Sequence, residues 1–194
     1  MAVAETAVES NVETVRRPSL LGVGTVVWLS SELMFFAALF GSWFTLRAAA
    51  AEWPPEGAEL ATLRTALATL VLISSSVTMH KAVQAAEASD RRLAIRWLLV
   101  TAALGTIFLA NQAVEYAELS FSISSHAYGS MFYLLTGFHG LHVIGGVGFM
   151  LATIAAIAGS SRAPSGPTVT VCAYYWHFVD AVWVAMFATI YLLR

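Results

Sequence analysis

Cysteine is almost missing from this chain: Cys172 stands alone among 194 residues. A single cysteine excludes an internal disulfide framework and a multi-cysteine metal site. It is expected to pack as a small hydrophobe. Charge is scarce as well. Asp, Glu, Lys and Arg make up 11% of the residues, where a soluble domain carries about 25%. The formal net charge is -2, and no basic run offers a footprint for nucleic acid. No internal repeat is apparent, which weakens the case for a transporter built from inverted halves. What the chain has instead is apolar length. Hydrophobic residues account for 58% of it, and mean hydropathy is +0.72. That is the composition of a membrane protein.

Residues 1–19 are polar and acidic, with Glu5, Glu9 and Glu13. They lack the basic start, short apolar core and cleavage site of a secretory signal. They read as a disordered cytoplasmic tail ahead of one transmembrane domain over 20–194. A helix needs about 20 apolar residues to cross the hydrocarbon core. Leu20–Leu46, Leu60–Gln84, Leu93–Glu118, Tyr128–Gly159 and Val169–Leu193 meet that need. The expected fold is therefore all-α, a polytopic bundle of five transmembrane helices. Ser74-Ser75-Ser76 interrupts the second stretch. Hydroxyls there bond their own backbone or cross to a neighbour, which suggests an interior face. With the N-terminus inside, Arg16, Arg17, Lys81, Arg91, Arg92, Arg96 and Arg162 fall on the inner side, and Arg47, Arg64 and Arg194 on the outer. The positive-inside rule then places the N-terminus in the cytoplasm and the C-terminus outside. Trp28, Trp43, Trp53 and Trp97 are candidate interface anchors, with Trp28 and Trp97 equally suited to interior packing.

Ionisable residues inside a membrane are costly, so they face a bundle interior and find partners. His177 and Asp180 are three apart in Trp176-His177-Phe178-Val179-Asp180, and His139 and His142 are three apart in Phe138-His139-Gly140-Leu141-His142. Positions i and i+3 share a helix face. His139, His142, His177 and Asp180 have the types for a metal site, but a site needs further ligands and a defined geometry. A hydrogen-bonded interhelical layer is the preferred expectation. Glu32 is expected near the midplane. It reads either as a proton-handling carboxyl or as a protonated acid bonded to a neighbouring helix. Gln112, Glu115 and Glu118 end the third stretch on the outer side, where a solvated or arginine-paired end is expected. His80 and Lys81 mark the inner end of the second stretch as ordinary interface residues, and His126 carries no specific signal.

Residues alone leave a subunit, a small proton-coupled transporter using Glu32 and Asp180, and a histidine-metal membrane enzyme all open. Motifs narrow the choice. Ser30-Ser31-Glu32-Leu33-Met34-Phe35-Phe36, Gln112-Ala113-Val114-Glu115-Tyr116, Tyr128-Gly129-Ser130-Met131-Phe132-Tyr133, Gly137-Phe138-His139-Gly140-Leu141-His142-Val143 and Trp176-His177-Phe178-Val179-Asp180-Ala181-Val182-Trp183 occur in that order. Together they resemble subunit III of cytochrome c oxidase, over nearly everything after residue 20.

The resemblance implies an accessory subunit with no catalytic residue, no metal and no cofactor of its own. Haem and copper are then expected in the partner subunits I and II. The chain would pack on subunit I, contact subunit II and other oxidase subunits, and bind phospholipid. It would stabilise subunit I during turnover and support proton uptake, in the plasma membrane of a bacterium. A bc-type complex is a further candidate partner. Glu32 matches the family's intramembrane carboxyl, and the histidines match positions that carry no metal. Larger members have seven helices, and this chain is read as lacking the first two, so lipid contacts of that wall do not carry over. Five-helix forms also serve quinol oxidases and relatives linked to nitric oxide reductases. Glu32 and the Gly-Phe-His-Gly-Leu-His string look more like the cytochrome c branch.

Overall fold

The computed structural model describes residues 20–159 and 166–193. Within them the chain forms α1 (Leu20–Ala49), α2 (Thr62–Glu87), α3 (Arg91–Glu118), α4 (Ala127–Gly159) and α5 (Gly166–Phe187), the last continued by a π-helical end, Ala188–Leu192. All five are long and apolar enough to cross a membrane, and there is no strand among the described residues. The tail expected over 1–19 lies outside the described residues, as do Arg16, Arg17, Arg162 and Arg194 of the charge count.

Local chemistry explains where the helices begin. Asp90 accepts a 3.0 Å hydrogen bond from the Leu93 amide, so α3 starts ahead of Leu93. Pro167 lies in the first turn of α5, where a missing amide hydrogen leaves no bond unmade. At α4 the capping group is an imidazole: His126 Nδ1 accepts from the Gly129 amide at 2.8 Å. A Cβ on Gly129 would come within 2.7 Å of the Ser122 carbonyl, so only glycine fits there. The serine run does not break α2. Ser74 and Ser75 donate back to the carbonyls of Val71 and Leu72.

The helix order around the bundle sets what can meet. α5 packs against α2, α4 and α1, while α3 bridges α2 and α4. α1 rests on α4 and α5 from outside. The core is held by large rings from α5. Trp176 is fully buried; a Cβ on Gly105 of α3 would stand 2.6 Å from its ring, and one on Gly146 of α4 2.8 Å. These two glycines are the slot that admits the indole. Gly146 thus serves close packing within the chain. A Cβ on Gly140 would meet no atom of another helix within 4 Å. Trp43 is not an interface anchor: it is buried, with Trp53 and Tyr128 at 4.9 and 5.2 Å between ring centroids. Trp28 stays half-exposed and stacks on Tyr175 at 5.3 Å, and Trp97 receives Lys81 at 4.6 Å.

Candidate functional site

Along the side of α2 that meets α5 and α3, the apolar sequence is broken by Thr65, Thr69, Ser75 and Ser76. This helical spacing gives one ladder of hydroxyls. α5 fills the middle rungs. Trp183 Nε1 donates to Thr69 Oγ1 at 2.9 Å, and Trp176 Nε1 donates to Ser75 Oγ at 2.8 Å, both buried. At the adjacent residue, Ser76 donates to Asp180 Oδ2, and His177 Nδ1 lies 2.9 Å from the same hydroxyl. A serine has one hydrogen, and it is engaged with Asp180. With the hydroxyl hydrogen on an ionised Asp180, the tautomer that fits is the one protonated at Nδ1, which leaves Nε2 as an acceptor. At the last rung Thr65 donates to Glu115 at 3.2 Å, and the Tyr191 hydroxyl lies 3.0 Å from both Glu115 oxygens.

Glu32 and His142 form a second site between α1 and α4. His142 Nδ1 lies 2.7 Å from the Phe138 carbonyl. A carbonyl only accepts, so Nδ1 carries a proton. Nε2 is 3.2 Å from Glu32 Oε2, and Trp28 Nε1 donates to the other carboxyl oxygen at 3.1 Å. Glu32 is thus tied to a neighbouring helix. Both side chains keep some exposure, 25% for Glu32 and 16% for His142.

His139 stands apart from both. It is buried between Trp183, at 5.0 Å between ring centroids, and Phe108, at 6.0 Å. Neither of its nitrogens has a hydrogen-bond partner. The layer expected from His139, His142, His177 and Asp180 is thus three separate environments, and only His177 and Asp180 meet. The reason is angular. Residues three apart on a helix share a face but point about 60° apart. The buried seam of α4 runs through Thr136, His139 and Val143, which turns His142 aside toward α1.

The polar end of α3 also divides. Glu118 pairs with Arg64 at 2.5 Å on an exposed edge, as a solvated or arginine-paired end requires. Glu115 does not belong to that edge. It is 1% exposed, because the buried face of α3 passes through Phe108, Gln112 and Glu115. Gln112 is buried too, and it bonds neither Glu115 nor Glu118. Sequence reasoning passed over Thr69 and Tyr191, and it read Trp28 as an anchor or packing residue and not as a partner of Glu32. The threonine was signalled by its four-residue spacing from Thr65, but the Trp and Tyr partners had no sequence mark.

Among the described residues, no three His, Cys, Asp or Glu side chains converge as metal ligands would. What the site does chemically is join helices through donor and acceptor pairs. The sequence model of the family described as cytochrome c oxidase subunit III matches residues 3–194. A probable cytochrome c oxidase subunit 3 from Mycobacterium tuberculosis is 47% identical over 194 residues, covering 97% of this chain and 96% of that one. Cytochrome c oxidase subunit 3 of Corynebacterium diphtheriae is 43% identical over 196 residues, 97% of this chain and 95% of its own. The counterpart from Thermostichus vulcanus is 36% identical over 178 residues, 91% of this chain and 89% of its own. An all-helical membrane bundle whose signature side chains tie helix to helix, matched along nearly its whole length, belongs to the cytochrome c oxidase subunit III family.

Proposed function

We propose that this chain is the non-redox third subunit of an oxygen-reducing haem–copper oxidase fed by cytochrome c. It packs on subunit I in a bacterial plasma membrane, with its N-terminus in the cytoplasm. Haem and copper reside in subunits I and II, and this chain carries phospholipid but no metal. Its task is mechanical: to keep the catalytic subunit assembled through turnover and to support proton uptake beside it. Glu32 and His142, paired at a partly buried site, are the residues assigned to the proton-related part of that role.

The observation that carries the reading is the use made of the motif residues. Trp176, His177, Asp180 and Trp183 direct their polar atoms at Ser75, Ser76 and Thr69 of α2. Groups spent on holding helices together suit a scaffold. The test is to tag the chain, solubilise membranes in mild detergent, record an optical spectrum and identify the co-purifying polypeptides. Haem-bearing large subunits together with a copper-bearing electron acceptor are expected. Haem without that acceptor would move the donor to quinol, and a colourless chain recovered alone would overturn the subunit role.

A further inference from the structure

α1 and α2 each pack on α5 but form no packed pair with one another. Between them α5 shows an open face through Tyr174, Ala181 and Val184. The two sides of this trough differ in chemistry. On the α1 side lie two cavities of about 390 Å³ each, one against Tyr174 and the other against Phe178 and Ala181. The second is lined almost wholly by apolar groups, and the first mostly so, with Thr170 and Tyr174 on its wall. On the α2 side, His177 and Ser76 are only partly buried, and Asp180 lies beneath them. Ser76 is near the middle of the 26-residue α2, and His177 near the middle of the 27-residue span Gly166–Leu192. The polar side is therefore at mid-bilayer depth, far from headgroups.

Hydrogen-bond accounting says what this side still needs. His177 donates at Nδ1 to Ser76, which donates to Asp180. Nε2 of the partly buried imidazole is left as an acceptor toward the trough, whereas Asp180 Oδ1, also without a partner, is buried beneath it. Acyl chains would fill the apolar cavities, but they offer no donor at this depth, and unmet polar groups in hydrocarbon cost several kcal/mol. The geometry points to a protein occupant: a membrane-spanning helix of another polypeptide, with small or apolar residues toward α1 and a hydrogen-bond donor at the depth of His177. Such pairing of close packing with a polar contact is how helices associate in membranes. The inference deepens the subunit reading by naming the docking face and the complementary group.

The test places a photo-crosslinking amino acid at Ala181 in the trough, and at Leu67 and Leu141 on exposed faces away from it, in the full chain in native membranes. At Ala181 the expected adduct maps to a membrane-spanning segment of a different polypeptide, with Ser, Thr, Trp, Lys or Arg within one helical turn. Ala181→Trp, which fills the trough without touching the core, should lower recovery of that polypeptide about tenfold, equivalent to about 1.4 kcal/mol. The control positions should label lipid. Lipid alone at Ala181, an adduct with another copy of this chain, or unchanged recovery with Ala181→Trp would each overturn the inference. The two readings fail separately: haem co-purifying while Ala181 labels only lipid ends this one, whereas absence of haem ends the subunit role.

Discussion

α5 and α1 have similar apolar character but opposite relations to the rest of the bundle. In its most apolar stretch α5 is 56% buried, and α1 only 11%. α5 sends two indoles, an imidazole and a carboxyl into the hydroxyl ladder of α2, and Trp176 also occupies the slot between Gly105 and Gly146. α1 has three buried residues, Thr25, Phe36 and Trp43. Its polar tie to α4 is Glu32 with His142. Hydropathy makes both of them spans. Burial of large rings makes one a central post and the other a strut on the surface.

The sharpest way to break that contrast is to empty the slot. Trp176→Ala removes a fully buried indole, a change that costs about 3–5 kcal/mol in a packed core. Its hydrogen bond to Ser75 is a minor part of that, because interhelical bonds in membranes average about 0.6 kcal/mol and reach at most about 1.7. The thermal midpoint of the purified complex should fall steeply, and Ser75→Ala should lower it only slightly. Equal losses would mean that polar bonds and not packing hold α5.

Asp180→Ala comes next. It leaves Ser76 and His177 without the acceptor that ends their chain, at about 1–3 kcal/mol. Complex yield should drop, and Asp180→Asn, which restores an acceptor oxygen, should recover most of it. A third change probes α1. Glu32→Gln keeps an oxygen for Trp28 and gains an amide donor for His142 Nε2, so stability should shift by well under about 1 kcal/mol. Oxygen consumption measured across pH then separates the two readings of Glu32. A slower or pH-shifted turnover marks a proton-handling carboxyl, and an unchanged profile marks a structural tie. Arg64→Ala is the smallest effect, about 0–1 kcal/mol, since its partner Glu118 is exposed; a thermal midpoint lowered as far as with Asp180→Ala would contradict that ranking.

Much of this was legible in the sequence because hydropathy acts over whole helices. Five spans, and their ends to within a few residues, follow from apolar length and from local caps such as Asp90. That His177 and Asp180 face one neighbour, Ser76, was legible for the same reason: positions three apart on one helix share a face without tertiary knowledge. Partners on other helices were not. Nothing local tells that Glu32 meets His142 across α1 and α4, or that Glu115 turns inward to Tyr191 while Glu118 turns out to Arg64. Those outcomes depend on which way each helix is rotated. Trp43 was misplaced for that reason too, since an aromatic near a span end suits an interface until a loop tryptophan packs over it.

The contrast between post and strut is tested most directly by comparing Trp176→Leu and Glu32→Gln in the tagged chain, reading co-purified haem per mole of chain from the optical spectrum. With Trp176→Leu most of the haem should be lost, and with Glu32→Gln it should stay near the unaltered level. Haem retained by the first change and lost with the second would place the organising contacts in α1 and contradict the account.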